Sequence, residues 1–388
     1  MKILLGTEAY WPINDGGSVF ERNLVHGLRG KKHQVEVIAP SGDGKPELDQ
    51  TDGYPIHRLK SLLVPNVPTY RFTYFAQHEI DRIFKEFKPD VIHVHNPYDI
   101  GRSLMKISHR SGVPIVATNH LMPENTLYNI PIPGLANWSV TESFFWNYLV
   151  KFHNRASFVT SPTATAVNLL VKHGLKAPHR PVSNGIDLTE YSAGPDTADV
   201  QKLYHLPENL PILLYTGRLD GEKRMDIWLK SLPLILKEVK MHAVIVGSGN
   251  AEASMKQLAS ELGVIEHVTF TGKVPHDHIQ GFYRIADCFA ISSPAELQSI
   301  VTLEAMATSD PVVAVDVAAL PELCHDGENG FLFKENDFAG MAAGVIKILK
   351  DKALREKMGK ASRAIAETHA LPKMVDNYEG IYRGLIKH

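Results

Sequence analysis

Glu296 and Glu304 stand eight residues apart in a stretch, residues 292–316, that is otherwise apolar or small. Carboxylates in a segment suited to burial need donors, and the hydroxyl groups of a sugar or a ribose are such donors. Earlier in the chain, Arg218 and Lys223 follow the apolar run "PILLYTG". An arginine fork and a lysine point charge beside a helix N-terminus suit phosphate oxyanions, each charge-assisted bond contributing about 1.5–3 kcal/mol. The competing reading is a solvated turn in which the cations pair locally with Asp220 or Glu222. For the glutamates it is one surface carboxylate and one partly buried ion pair. In the first half, Gly16 and Gly17 precede a helical pattern and would let backbone approach a bulky ligand, with Ser18 as a cap. His120 directly follows the strand-like "PIVAT". A lone histidine there is more often structural than catalytic, and the same holds for His93 and His95.

The elements that must hold these residues are legible from periodicity. Ser299 is a suitable N-cap for a helix whose apolar positions are Ile300, Val301, Leu303 and Met306, and Ser309-Asp310-Pro311 ends it. Glu296 then falls in the loop before the helix and Glu304 within it. The backbone N–H groups of 298–301 (Gln298, Ser299, Ile300 among them) would meet phosphate. Strand-like runs ("KILL", "QVEVIA", "VIHV", "PIVAT", "SFVTS") alternate with helical patterns at 18–29 and 74–87. A second series ("PILLYTG", "AVIVG", "VTFTG", "CFAIS", "PVVAV") surrounds a helical pattern at 222–236. Such alternation predicts parallel sheets covered by helices on both faces. Residues 177–200, rich in Pro, Gly and Asp, separate the two series. Two doubly wound α/β domains are therefore expected, 1–183 and 184–370, each binding ligand at the carboxyl ends of its strands. A last helix, from about 371, is a candidate to pack back on the first domain.

Composition narrows the classes. A chain of 388 residues exceeds what one core usually supports, which favours two domains. The net charge of -2 gives no reason to expect nucleic acid. The charge is uneven, however: residues 101–183 carry eight Lys or Arg and only two acids, Glu124 and Glu142. Two cysteines, Cys288 and Cys324, provide neither a disulfide framework nor metal-ligand spacing, and no metal site is expected. The opening "MKILLGTEAYW" is too short in apolar residues for a signal peptide, and no run suits a membrane span. The expected location is the cytoplasm, with peripheral contact at the inner face of the membrane left open. Gly247-Ser248-Gly249 lacks the third glycine of a dinucleotide fingerprint, and no Walker lysine motif is present.

Taken in order, several stretches resemble family 4 of the retaining glycosyltransferases, over nearly the whole chain. They are the Gly16-Gly17 loop, "DVIHVHNP", His120 after its strand, "SNGID" at the domain junction, Gly217-Arg218 with Lys223, Glu296-x7-Glu304 and "LPELCHDGENGFLF". The resemblance implies the GT-B fold, two facing Rossmann-like domains with an interdomain cleft. It implies that Arg218 and Lys223 hold a donor diphosphate, Glu296 the transferred sugar and Glu304 the donor ribose. His120 would face the sugar near the reacting carbon, and Gly16 and Gly17 would let the first domain close on the donor. No cofactor is required beyond the nucleotide sugar itself, a UDP-sugar or else a GDP-sugar; Mg2+ dependence stays open. Two departures stand out: Leu297-Gln298-Ser299 where many relatives have Phe-Gly, and Ser309-Asp310 before the proline.

For the acceptor, aromatics among cations in residues 138–155 and the lysines and arginine of 172–180 suit an anionic membrane surface; the alternative is a core helix with a solvated basic edge. The stretches "LKSLLVPNVPTYRFTYF" and "NHLMPENTLYN" are similar to diacylglycerol glucosyltransferases. The leading expectation is α-linked hexose transfer, glucose from UDP-glucose, to a diacylglycerol-like lipid. Mannosyl or other hexosyl transfer to phosphatidylinositol, an inositol phosphate or a soluble sugar is the nearest alternative. A nucleotide-sugar 2-epimerase and a non-catalytic nucleotide-sugar-binding protein are the alternatives of other classes.

Overall fold

A computed structural model describes residues 1–12, 16–64, 67–122, 138–195 and 199–387. The chain divides into two compact units, Met1–Gly185 with Leu371–His388, and Ile186–Ala370.

The described residues of the first unit form ten strands: β1 (Lys2–Gly6), β2 (Gln34–Pro40), β3 (Glu47–Asp49), β4 (Ile56–Leu59), β5 (Ser61–Val64), β6 (Val67–Thr73), β7 (Val91–Val94), β8 (Ile115–Thr118), β9 (Phe158–Ser161) and β10 (His179–Pro181). Eight form one sheet in the order β10-β9-β8-β7-β1-β2-β4-β3. It is parallel except where β3 runs against β4. The central strands β7 and β8 are buried at every residue, which explains why they are apolar apart from His93 and Thr118. β5 and β6 make a separate antiparallel ribbon, Ser61 opposite Thr73 and Leu63 opposite Arg71, that periodicity did not announce. Residues 177–200 also hold more structure than their composition suggests, because β10 pairs with β9 as an edge strand.

Leu371–Ile386 is a helix of this same unit. Val375 lies so close to Gly27 that a Cβ there would come within 2.2 Å of Val375 Cγ2. Glu379 accepts from Lys31 at 2.6 Å and contacts His33 Nε2 at 3.1 Å. Two buried tyrosines on the inner face satisfy polar groups of the sheet. The Tyr378 hydroxyl lies 3.1 Å from Thr160 Oγ1, and the Tyr382 hydroxyl lies 2.7 Å from His93 Nδ1.

The second unit is a six-stranded parallel sheet in the order β13-β12-β11-β14-β15-β16. Its strands are β11 (Ile212–Thr216), β12 (His242–Val246), β13 (Val268–Gly272), β14 (Cys288–Ile291), β15 (Val312–Val315) and β16 (Gly330–Phe333). Trp228, fully buried on the helix Met225–Glu238, donates its indole N–H to the Ala290 carbonyl at 3.1 Å and so fastens helix to sheet. That helix begins one turn later than its sequence pattern predicts. A 3-10 turn, Gly221–Lys223, comes first, and Arg224 at φ +50 separates the two. At the carboxyl end of the sheet the loops after β11 and β12 touch. A Cβ on Gly247 would lie 1.9 Å from the Gly217 carbonyl oxygen, so only glycine permits this approach.

Tyr382→Phe would leave the buried His93 Nδ1 without its hydrogen-bond partner. A loss of about 1–3 kcal/mol is expected for such a group, read as a lower denaturation midpoint in urea.

Candidate active site

Because both sheets are essentially parallel, each gathers the residues that follow its strands at one end. In the second unit this brings together Arg218 and Lys223, after β11, with the loop and helix after β14 that carry Glu296, Gln298, Ser299, Ile300 and Glu304. Gly16, Gly17 and His120 belong to the first unit.

Lys223 Nζ lies 2.8 Å from Glu296 Oε1, with each side chain about 15% exposed (15% and 14%). Glu296 in turn fixes the following loop, since its carbonyl accepts from Ala319 N at 3.2 Å. Ser292 Oγ donates to the carbonyls of Lys223 and Arg224 at 3.0 and 2.9 Å, which ties the two loops together. Arg218 is more exposed and pairs with Asp220 and, at 2.8 Å, with Glu222. The local ion pairs weighed from the sequence are therefore present around Arg218, whereas Lys223 reaches across to the other loop. Ser299 caps the helix Ile300–Ala307, its hydroxyl accepting from Thr302 N. Gln298 and Ser299 are buried and Ile300 half-buried at the start of that helix. The first N–H groups there have no acceptor inside the helix, so the turn presents positive potential to the loop. Ser293, fully buried between β14 and Glu296, has a hydroxyl with no hydrogen-bond partner among the described residues.

Glu304 sits one turn into the helix in a different setting. Tyr283 donates to its Oε2 at 2.6 Å, and the Tyr283 hydroxyl is 2.6 Å from Thr216 Oγ1 at the end of β11. Tyr191 forms a further hydrogen bond to it. Burial pushes the Glu304 carboxyl up to about 7, and the two tyrosines oppose that rise. Both phenols are themselves pushed above their ordinary range by burial, so they act as donors and stay neutral. Tyr191, Tyr283 and Thr216 escaped sequence reasoning. They come from three separate elements, and nothing in their spacing links them to a glutamate.

In the first unit, Gly16 and Gly17 open the helix Gly16–Gly30, with Ser18 buried behind them. His120 is half-buried after β8, stacked on His95 with ring centroids 5.7 Å apart and in contact with Phe20 at 4.9 Å. Below it the histidines are structural in character. His93 Nε2 lies 2.7 Å from Thr118 Oγ1, and His95 Nδ1 lies 3.7 Å from buried Glu21. Burial lowers His93 to about 3 and His95 well below its ordinary value, so both are neutral. Residues 65–66 and 123–137, which include most of the "NHLMPENTLYN" stretch, lie outside the described residues, as does the Trp138 side chain. No helix among the described residues is long and apolar enough to cross a membrane.

Two Rossmann-like units, each gathering polar residues at the carboxyl ends of its strands, are the architecture of the GT-B fold. Comparison with known proteins agrees. Residues 14–190 match the family described as Glycosyltransferase Family 4, and residues 197–365 match Glycosyl transferases group 1. Together these matches span most of the chain, which belongs to family 4 of the retaining glycosyltransferases. Among its relatives, the N-acetyl-alpha-D-glucosaminyl L-malate synthase of Bacillus anthracis is 25% identical, over 100% of this chain and 98% of that protein. The alpha-monoglucosyldiacylglycerol synthase of Streptococcus pneumoniae is 27% identical, over 88% of this chain and 77% of that one. Among solved structures, Anabaena Alr3699/HepE in complex with UDP-glucose superposes with a TM-score of 0.78 at 18% identity, covering 99% of this chain and 100% of that one.

Because the tyrosine hydrogen bonds hold the Glu304 carboxyl down against its burial, Tyr283→Phe should raise its titration midpoint above 7. Carboxyl carbon NMR of the glutamates across pH 5–9 checks this; an unmoved or lowered midpoint would contradict the geometry.

Proposed function

We propose that the protein transfers a hexose, glucose from UDP-glucose, with retention of configuration onto a diacylglycerol-like lipid at an anionic membrane surface. The observation that carries the donor half is the Lys223–Glu296 pair at 2.8 Å, next to the N-terminus of the helix Ile300–Ala307. In this reading the diphosphate takes Lys223 as its counter-ion, aided by Arg218 and the N–H groups of the helix start. Glu296, freed from the ammonium, accepts from sugar hydroxyls, and Glu304 accepts from the ribose. The UDP-glucose bound by a protein of the same fold supports this donor class. The glycolipid synthase among the relatives supports the lipid acceptor.

The reaction then needs little from the protein beyond placement and charge. The bond between the anomeric carbon and the diphosphate oxygen breaks, and its electron pair stays on the phosphate. Lys223, Arg218 and the helix N-terminus stabilise that developing charge. The acceptor hydroxyl attacks the oxocarbenium-like carbon from the face the phosphate is leaving, and its proton passes to a phosphate oxygen. Its product is an α-glycoside and a nucleoside diphosphate. In this reading His120 is the residue of the first unit assigned to contact the transferred sugar.

Nucleotide release from UDP-glucose, UDP-N-acetylglucosamine and GDP-mannose, measured with diacylglycerol in detergent micelles and with soluble hydroxy acids, tests both halves. Release from UDP-glucose that needs the lipid, and that falls at least a hundredfold in Glu296→Ala, is expected. Release dependent on a soluble acceptor would transfer the protein to the class of its malate-glycosylating relative. The pH profile is a sharper check on Glu304. Ribose hydroxyls donate to the carboxylate and not to the acid, so affinity for UDP-glucose should be constant above about pH 8. Below pH 7 it should weaken toward tenfold per unit. The diphosphate diester has no proton of its own to exchange in that range, and Glu304→Gln should flatten the profile.

A further inference from the structure

Four of the large apolar side chains that the first unit leaves in water lie on elements joined to one another at one end of the unit. Leu62 and Leu63 of β5 are 60% and 56% exposed, Phe75 is 94% exposed and Phe144 is 72% exposed. Consecutive strand residues face opposite sides, so exposure of both leucines means that β5 carries apolar side chains into water on both of its faces at this point. Phe75 has φ +53, a conformation bulky residues rarely adopt and one the surroundings must impose. They do so with buried groups. Glu8, 2% exposed, accepts from Thr73 N at 3.2 Å, from Thr73 Oγ1 at 3.0 Å and from Ile100 N at 2.8 Å. Asp99 Oδ2 accepts from Ala76 N at 3.0 Å. The base of the ribbon and the Phe75 turn are thereby fastened to the start of the helix Asp99–Ser111.

Phe144 belongs to the same neighbourhood. Phe72 of the ribbon packs on Tyr98 with ring centroids 4.8 Å apart. Tyr148, one turn after Phe144 on the helix Trp138–His153, donates to the Pro97 carbonyl. Farther along, His109 Nε2 lies 2.9 Å from the Arg155 carbonyl, so the two helices run side by side in the same direction. Their outward stripes read Arg102, Lys106 and Arg110 on one, and Phe144, Asn147, Lys151 and Arg155 beside it. The apolar groups lie toward the ribbon, and the cations extend one to three turns behind. From Phe144 to Lys151 the rise is about 10 Å. Of the acids nearby, Asp81 is paired with Arg110, Glu142 is half-buried and Asp99 is held by Ala76 N.

We propose that this end of the first unit is a membrane-insertion face. Leu62, Leu63, Phe75 and Phe144 enter the boundary of an anionic bilayer, while Arg102, Lys106, Lys151 and Arg155 sit among its headgroups. The depth agrees with interfacial elements, which bury apolar groups about 5–10 Å and keep cations at the phosphate level. A folded protein partner would call for one contiguous patch of about 800 Å². Separate apolar tips rimmed by cations match a fluid surface instead. The inference takes its purpose from the lipid-acceptor reading, but its geometry is independent of it.

The test is co-sedimentation of the full chain with vesicles of phosphatidylcholine alone and with 30% phosphatidylglycerol, beside transfer to diacylglycerol in detergent micelles. Wild-type protein should bind the anionic vesicles, with affinity that falls as salt rises. The quadruple variant Leu62→Ser, Leu63→Ser, Phe75→Ser, Phe144→Ser should bind at least tenfold more weakly, with unchanged circular dichroism and melting temperature. Arg102→Gln and Lys151→Gln should each cost about fivefold on anionic vesicles and nothing on neutral ones. Vesicle binding equal to wild type in the quadruple variant, or no binding by wild type, overturns the inference. Transfer in micelles without vesicle binding would sink the insertion face and spare the acceptor reading. Vesicle binding through these residues without any lipid glycosylation would do the reverse.

Discussion

Burial of the central strands on both faces is the constraint from which the rest of this molecule follows. β7, β8, β11, β14 and β15 are buried at every residue, so neither face of either sheet can carry chemistry. Parallel pairing then sends the loops that follow these strands to one edge of each sheet, and polar function can only collect there. The exceptions support the rule. His93, Thr118 and Thr160 are polar and lie inside the first sheet, and each is satisfied through Tyr378 or Tyr382 of the C-terminal helix or through one another. That helix is therefore part of the first unit's interior chemistry as well as its packing.

At the edge of the second sheet, charges are held ready by one another. Lys223 and Glu296 are each nearly surrounded, and an unpaired charge there would be costly. In mutual contact each satisfies the other, and in the proposed reaction a diphosphate sugar would give each a new partner: phosphate for the ammonium, hydroxyl donors for the carboxylate. Exchange of partners keeps the desolvation cost of binding low. Glu304 solves the same problem differently, with two neutral phenols in place of a cation, and its carboxyl is consequently easier to protonate. Two glutamates on one short segment thus have separate electrostatic characters, set by their neighbours.

How far these arrangements were legible in the sequence depends on how local they are. The strands, the Ser299 cap and the helix it begins are nearest-neighbour effects, and the residue pattern carried them. The pairing of Lys223 with Glu296 bridges 73 positions, and the residue types suggested two ligands for one molecule without revealing that they touch. Arg218 was ambiguous between ligand and local ion pair because Asp220 and Glu222 lie within a turn of it. Nothing in the sequence disclosed the tyrosines around Glu304, since a phenol buried against a carboxylate looks like any core aromatic until the fold closes. The β5–β6 ribbon was missed for the opposite reason: its apolar residues suggest a core strand, and the structure leaves them in water.

The first unit's histidines bear on mechanism through their neutrality. His93 and His95 are desolvated and in tilted ring contact at 4.2 Å, and each nitrogen of His93 faces a hydroxyl, Tyr382 at Nδ1 and Thr118 at Nε2. A cluster held neutral in this way supplies dipoles and no net charge. His120, packed against His95 and Phe20, stands at the half-buried end of this cluster. The proton released by the acceptor is better taken by the departing phosphate, whose growing charge makes it more basic as the bond to the sugar breaks. In the proposed reaction the second unit thus stabilises the leaving group and lets it act as the base.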